Sequence, residues 1–172
     1  LKKRGWEVSL VGGRTGRILR PTFDEKPSLI LRKAIEDCGI EVLTGEFPIK
    51  FSGNGCVRSV ITNKREIKCD MVVLVLGIRP EVDLAQKAGL KIGNLGGIKV
   101  DKQMMTNIED VYACGDCVQA RDIITGEDIL SLLWHNAKQQ GEVAGYNSAG
   151  MKRDYLGAMN ITSIVILGTS AV

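Results

Sequence analysis

The N-terminal part of the chain alternates between short apolar runs and one amphipathic segment. WEVSLV (6–11) alternates and then turns apolar, as strands do. From Asp24 we predict a helix whose apolar stripe has helical spacing: Leu31, Ala34, Ile35 and Cys38. Pro27 fits only the first turn of this helix, and Gly39 suits its end. IEVL (40–43) is the next predicted strand, and the strand–helix–strand order favours parallel pairing.

The middle of the chain has a different pattern. The alternating runs FPIKF, CVRSVIT and REIKCD, with SGNG after the first, predict a small antiparallel meander. MVVLVLG (71–77) is apolar throughout, which is typical of a strand covered on both faces. A short helix is predicted around 82–88, and GGIKVD and DVYACGD predict two more short strands.

The C-terminal part begins with a predicted helix of small residues at 136–149. Gly141 and Gly145 lie one helical turn apart in it and would allow a neighbour to pack closely. The chain opens with LKKRG, which resembles the end of a helix, and stops within the strand-like run NITSIVILGTSAV. We therefore expect the sequence to be a piece of a longer protein.

Composition excludes several classes of protein. The 172 residues are 44% hydrophobic and 25% charged, which predicts a packed core rather than disorder. A net charge of +3 gives no indication of nucleic-acid binding, and the longest apolar runs are too short to span a bilayer. The five cysteines are sparse and irregularly spaced, which favours reduced thiols and a cytoplasmic location over a secreted disulfide scaffold.

The segment VYACGDCVQA (111–120) holds the first candidate site. Gly115 lets the chain turn and lets a ligand approach the backbone closely. Asp116 is predicted at the carboxyl end of an apolar strand, where α/β folds place their ligands. Its carboxylate would accept hydrogen bonds from the hydroxyl groups of a sugar-like chain.

Cys114 and Cys117 in the same segment have the spacing of a redox disulfide or of half a zinc site. Zinc needs about four N or S ligands, and only His135 and scattered cysteines could complete the set. A redox pair needs a thiolate of low pKa, and the carboxylate of Asp116 would raise the thiol pKa instead. We therefore interpret the cysteines as bystanders and predict no metal.

The stretch VGGRTGR after the first strand is the second candidate site. Its glycines could let backbone N–H groups cradle a phosphate, although G-x-G-x-x-G and the P-loop lysine are both missing. In a dinucleotide fold, the end of the second strand faces the adenosine ribose. Gly12 and Gly13 stand where an acid would indicate NAD, and Arg14 or Arg17 would favour the extra phosphate of NADP. The alternative interpretation is a solvated basic loop.

Three motifs together carry a resemblance that covers nearly the whole chain. TNIEDVYACGDC resembles the flavin-binding segment of the FAD-dependent pyridine nucleotide-disulfide oxidoreductases. MVVLVLGIRPE, with Gly77, resembles the strand and glycine that lead from the NAD(P) domain of that family to its FAD domain. LLWHNAKQQGEVAGYNSAG resembles the helix whose start meets the flavin. ITGE points to the branch of NADH oxidases, coenzyme A-disulfide reductases and rubredoxin reductases.

The resemblance implies an α/β fold, a three-layer Rossmann-like FAD/NAD(P)-binding architecture that is incomplete here and carries the small antiparallel meander. Residues 1–76 would be the C-terminal part of the NAD(P)-binding domain, 77–150 that of the FAD-binding domain, and 151–172 the start of a dimerisation domain. The family's glycine-rich motifs are absent, so half of each cofactor site would be missing.

The resemblance also implies roles for individual residues. Asp116 would bind the ribityl hydroxyls of FAD. Asn136 and Ala137 would offer N–H groups at a helix start to the negative charge on the pyrimidine edge of a reduced flavin. His135 could touch the flavin or donate a proton during reoxidation, and the alternative interpretation is a packed or solvent-facing residue. No side chain is predicted to be catalytic.

The implied function is transfer of hydride from NADPH or NADH to FAD and on to an acceptor. The acceptor could be oxygen, a disulfide or persulfide, or a small redox protein, and the parent protein would be a homodimer. The alternative is a non-catalytic fragment, or a subunit that completes its cofactor sites only with a partner chain. A nucleic-acid or phosphate-binding module would rest on GGRTGR alone.

Overall fold

The chain folds into two compact units. A computed structural model describes residues 1–12, 14–19, 22–161, 163–166 and 168–171, so Gly13 lies outside the described residues. One unit comprises Leu1–Val75 with Thr162–Val172, and the other comprises Leu76–Ile161. The helices are a 3-10 turn at Lys2–Arg4, α1 (Glu25–Asp37), α2 (Asp83–Lys87) and α3 (Trp134–Ser148). The strands are β1 (Ser9–Val11), β2 (Glu41–Leu43), β3 (Pro48–Gly53), β4 (Val57–Thr62), β5 (Glu66–Lys68), β6 (Ile98–Lys99), β7 (Val118–Arg121), β8 (Asp128–Leu130), β9 (Ile164–Ile166) and β10 (Thr169–Ala171).

The first unit is built on a parallel strand pair covered by one helix. β1 pairs with β2 in parallel, with Leu10 opposite Val42, so the predicted strand–helix–strand order is confirmed. Within the predicted stripe of α1, Leu31 and Ile35 are buried. Cys38 is exposed, because the helix ends one residue earlier and the chain turns away at Gly39, whose φ is +73°.

The predicted meander is also confirmed. β3, β4 and β5 form one antiparallel sheet in sequence order. The connection between β3 and β4 depends on Gly53, whose φ is +155°. A Cβ atom on this residue would overlap the carbonyl oxygen of Cys56. β9 and β10 pair as an antiparallel hairpin that lies against α1.

The second unit joins a small mixed sheet to α3. β7 pairs in parallel with β6 and antiparallel with β8. The core of the second unit holds Met104, Val118 and Ala158, each at most 2% exposed. The helix predicted at 136–149 begins two residues earlier, at Trp134, and the short helix around 82–88 is confirmed as α2. Within the described ranges, no helix combines the length and apolar character that a bilayer crossing requires.

Two predicted strands are wrong. MVVLVLG is not a covered strand: no described strand pairs with it, and Val75 and Leu76 are 84% and 79% exposed. DVYACGD forms only an isolated antiparallel bridge between Met105 and Tyr112, and β7 starts after it. The physical reason is the same in both cases. A strand needs hydrogen bonds to a neighbouring strand, which an apolar run does not supply by itself.

Candidate functional site

The turn Cys114–Cys117 is held in place by its own backbone and by α3. Gly115 has a φ of +86°, a region that glycine enters without steric cost. Its carbonyl accepts a 3.0 Å hydrogen bond from the backbone N–H of Val118, which closes the turn into β7. Its own N–H donates to the side-chain oxygen of Gln140 at 2.8 Å. The turn is therefore fixed on both sides of Gly115.

Asp116 is an exposed carboxylate at the outside of this turn. In the part of the chain that the structure describes, no group donates a hydrogen bond to it and no cation pairs with it. It precedes β7 rather than ending a strand, which corrects the position expected from the sequence. Both of its oxygens are thus available to hydroxyl donors from a ligand.

The start of α3 lies next to this turn. A Cβ atom built on Gly115 would sit 3.9 Å from the Cβ of Ala137. Because α3 begins at Trp134, Ala137 is already inside the helix, and its N–H donates to the carbonyl of Leu133 at 3.0 Å. The N–H groups without an acceptor among the described residues are those of Trp134, His135 and Asn136. Such a helix start favours negative charge.

The side chain of Asn136 points inward and ties α3 to the segment after it. Asn136 is 1% exposed. Its amide nitrogen donates to the hydroxyl of Ser131 and, at 2.9 Å, to the carbonyl of Met159. Its amide oxygen accepts from the Met159 N–H at 3.3 Å and from the Tyr155 hydroxyl at 3.4 Å. Burial raises the pKa of Tyr155, so this hydroxyl stays protonated and can donate. Only the backbone N–H of Asn136 is left for a ligand.

His135 has a structural partner. Its Nε2 lies 3.0 Å from the carbonyl of Met159, which fixes this nitrogen as the protonated donor. The side chain is half-buried. This contact supports the interpretation of His135 as a packed residue.

The two cysteines of the turn are free thiols, as are Cys38, Cys56 and Cys69. Burial, and to a smaller degree the charges of Cys114 and Asp116, raises the pKa of the Cys117 thiol. The predicted rise in the thiol pKa is therefore correct, but desolvation is its main cause and the Asp116 carboxylate is a minor one. Among the described residues, no group of His, Cys, Asp and Glu side chains could hold a metal ion. The raised pKa of the Cys117 thiol favours the bystander interpretation over a redox pair.

The remaining predicted residues lie apart from this turn. Gly77 is exposed with a φ of +92°, and a Cβ atom there would have no described neighbour within 4 Å. In the first unit, the guanidinium of Arg14 stacks on the ring of Phe47 at 4.8 Å. Arg17 is half-buried, and its carbonyl accepts a 3.2 Å hydrogen bond from the Thr15 hydroxyl. No described carboxylate pairs with either arginine.

Gln140 is the residue of this site that the sequence pattern did not single out. It is 1% exposed, although its neighbour Gln139 is exposed. The available signal was helical spacing, because Asn136, Gln140, Val143 and Ala144 share one face of α3 and are all buried. A polar residue on such a face has a hydrogen-bond partner as a rule.

Comparisons with known proteins match most of the chain. Residues 1–141 match the family described as pyridine nucleotide-disulphide oxidoreductase. The NAD(P)H sulfur oxidoreductase (CoA-dependent) of Pyrococcus furiosus is 35% identical over 97% of this chain and 36% of its own length. The NADH oxidase of Methanocaldococcus jannaschii is 38% identical over 93% of this chain and 35% of its own length. The chain therefore spans about a third of the length of these curated relatives.

A solved structure gives the fold. The crystal structure of an FAD-dependent pyridine nucleotide-disulphide oxidoreductase from Desulfovibrio vulgaris matches with a TM-score of 0.88 and 33% identity. The match covers 94% of this chain and 41% of that one, and it confirms the predicted Rossmann-like α/β fold. Since the family match covers 1–141 of the 172 residues, the chain belongs to the pyridine nucleotide-disulphide oxidoreductase family.

Proposed function

We propose that the protein containing this chain is a flavoprotein oxidoreductase that passes hydride from NAD(P)H to FAD and on to an acceptor. One observation carries the proposal: the unpaired carboxylate of Asp116 stands on a turn that Gln140 holds against α3, whose first N–H groups have no described acceptor. The Asp116 carboxylate can therefore accept hydrogen bonds from the hydroxyl groups of a polyol chain. The N–H groups at the start of α3 can donate to an electron-rich edge of the same ligand.

These residues fit FAD. Asp116 would accept hydrogen bonds from the ribityl hydroxyls, and Gly115 leaves room for the approach because it has no side chain. The N–H of Asn136, with those of the two residues before it, would stabilise negative charge at the start of α3. Ala137 would serve through its position beside the turn, and Gly77 as the bend into the FAD-binding part. Bound FAD would supply hydride acceptance and delivery, and these residues bind and orient it.

We also propose the division of the chain. Residues 1–76 would belong to the NAD(P)-binding domain, 77–150 to the FAD-binding domain, and 151–172 would begin the dimerisation domain of a homodimer. A cytoplasmic location is supported by the absence of disulfides among all five cysteines. Light scattering on the intact protein would test the dimer, and a monomeric mass would contradict it.

The nicotinamide cofactor is proposed to be NADPH rather than NADH. The Arg14 guanidinium stacks on Phe47, no described group accepts a hydrogen bond from its N–H edges, and such a fork binds a phosphate well. Arg17 would supply a second positive charge near the same loop. In the intact protein, Arg14→Ala with Arg17→Ala should raise the KM for NADPH about tenfold or more and leave that for NADH nearly unchanged. Equal effects on both cofactors would remove the basis of this preference.

The acceptor is proposed to be a sulfur compound or oxygen, with a small redox protein as a further possibility. The support is the naming of the relatives as a sulfur oxidoreductase and as an NADH oxidase. Steady-state oxidation of NAD(P)H with oxygen, a disulfide, a persulfide and a rubredoxin as alternative acceptors would rank them.

The decisive experiment concerns Asp116. The intact protein should show a flavin absorbance band that bleaches with NADPH or NADH. Asp116→Asn should weaken FAD binding about tenfold or more, because a charged acceptor of hydrogen bonds is lost. Asp70→Asn is the matched control, since Asp70 is also exposed and its side chain has no described partner. A protein that stays colourless with added FAD, or an Asp116→Asn variant that binds FAD as well as the control, would contradict the proposal.

A second candidate function is a subunit that forms its cofactor sites only with further protein. The observation that favours it is the exposure of Val75 and Leu76 in a run that is apolar throughout. Mass spectrometry of the native flavoprotein isolated from its source would decide between the two, because the second candidate requires a separate partner chain. A single longer chain that carries both halves of the cofactor sites would contradict the second candidate.

A further inference from the structure

Two buried amide side chains of α3 bind its neighbouring segments: Gln140 binds the turn at Gly115, and Asn136 binds the segment that follows α3. The Gly115 N–H donates to the amide oxygen of Gln140 at 2.8 Å. Gln140 lies on the buried face of α3 together with Asn136. The Tyr155 hydroxyl donates to the amide oxygen of Asn136 at 3.4 Å, and Asn136 donates to Ser131. The Asn136 amide therefore accepts through its oxygen and donates through its nitrogen.

Gln140 is the link that touches the turn. It is 1% exposed, and its amide oxygen accepts the hydrogen bond from the Gly115 N–H, so this buried acceptor has a donor. Val143 and Ala144 of the same helix belong to the main core of the unit, together with Tyr155, which is 8% exposed. Gly115 is therefore hydrogen-bonded to a helix that packs in the core, and not to a surface side chain.

Resting on the proposed function, we propose that Gln140 is a positioning residue for FAD binding: it fixes the Gly115 turn so that Asp116 is held beside the start of α3. Gln140 itself does not contact the ligand. Without its amide oxygen, the buried side of the turn loses its only described side-chain acceptor, and Asp116 samples a wider range of positions. A ligand must then order the turn on binding, which lowers affinity.

The test compares two variants of equal length. Gln140→Met removes the acceptor and the donor, and Gln140→Glu keeps an oxygen acceptor for the Gly115 N–H. Gln139→Met is the matched control, because this neighbouring glutamine is exposed. Amide hydrogen exchange measured by NMR in the 172-residue chain should accelerate at Gly115 about tenfold in Gln140→Met. We expect little change at Gly115 in Gln140→Glu or Gln139→Met, and unchanged exchange within β7 and β8 in all three.

The second readout is FAD affinity in the intact protein. Gln140→Met should raise the Kd for FAD about tenfold, and Gln140→Glu should restore part of this loss. An unchanged Gly115 exchange rate in Gln140→Met, or an acceleration spread equally over the whole unit, would overturn the positioning role. The same Gly115 exchange rate and the same Kd for FAD in Gln140→Met and Gln140→Glu would also overturn it. A wild-type protein that binds no FAD would overturn the proposed function instead, and Gly115 exchange would still decide whether Gln140 fixes the turn.

Discussion

A buried carboxylate in the first unit allows one quantitative prediction. Glu46, between β2 and β3, is 1% exposed. One of its oxygens accepts a 2.7 Å hydrogen bond from the Thr62 hydroxyl and lies 3.1 Å from Nε of Arg65. The Arg65 side chain is 52% exposed, so one partner of the ion pair is buried and the other is half in water. Removing the arginine leaves a buried charge that is held by a single hydroxyl.

The expected loss follows from these exposures. Breaking a fully buried pair costs about 3–5 kcal/mol, and an exposed pair contributes less than about 1 kcal/mol. Since half of the Arg65 side chain is solvated, we expect Arg65→Ala to lower the free energy of unfolding by about 2 kcal/mol. Glu46→Gln keeps the length and an oxygen acceptor but removes the charge. In that background, Arg65→Ala should cost about 1 kcal/mol or less.

The assay is a double-mutant cycle. Urea unfolding of the wild type, the two single variants and the double variant gives the coupling energy, which we expect to be about 1 kcal/mol. Arg58→Ala is the matched control, because Arg58 is an exposed arginine of β4 and no described carboxylate pairs with it. A cost of Arg65→Ala that is the same with Glu46 and with Gln at that position would refute the reasoning.

Three further predictions concern single positions. Gly53→Ala should destabilise the first unit by about 3 kcal/mol, because the new Cβ overlaps the Cys56 carbonyl. Gly55→Ala has open space around the new Cβ and should cost only about 1 kcal/mol, and urea unfolding measures both losses. Iodoacetamide at neutral pH, followed by mass spectrometry, should modify exposed Cys56 faster than Cys117, whose thiol pKa is raised; equal rates would contradict its burial. Hydrogen bonds from backbone N–H groups, mainly that of Thr125 and also that of Ile124, lower the pKa of the Asp122 carboxyl below its ordinary value of 3.8. The stability that this carboxylate contributes is therefore present at neutral pH and lost as the pH falls through its folded-state pKa, so the deficit of Asp122→Asn measured by thermal unfolding should shrink in acid.

Local sequence signals were sufficient for much of the fold. α1 follows from its apolar spacing and from Gly39, and the meander follows from short alternating runs joined by turn residues. These elements depend on interactions between residues that are close along the chain, so the pattern contains the necessary information. The three motifs also led to the family, because their order and spacing are properties of the sequence itself.

The candidate site was predicted only in part. The turn at Gly115 and Asp116 was recognised from residue type, and the structure adds that Ala137 lies too far into α3 to offer a free N–H. The start of a helix is decided by the hydrogen bonds of its first turn, which periodicity locates only to within a few residues. Gln140 was missed because two adjacent glutamines look alike until the packing of α3 buries one of them.

By itself the sequence determined many of the helices, turns and hairpins and marked the turn at Gly115 and Asp116, because these depend on side-chain type and short-range spacing. Only the tertiary structure decided that MVVLVLG lacks a strand partner among the described residues and that Glu46 and Gln140 are buried. Strand pairing and burial both depend on which distant segment lies opposite, and no local pattern contains that information.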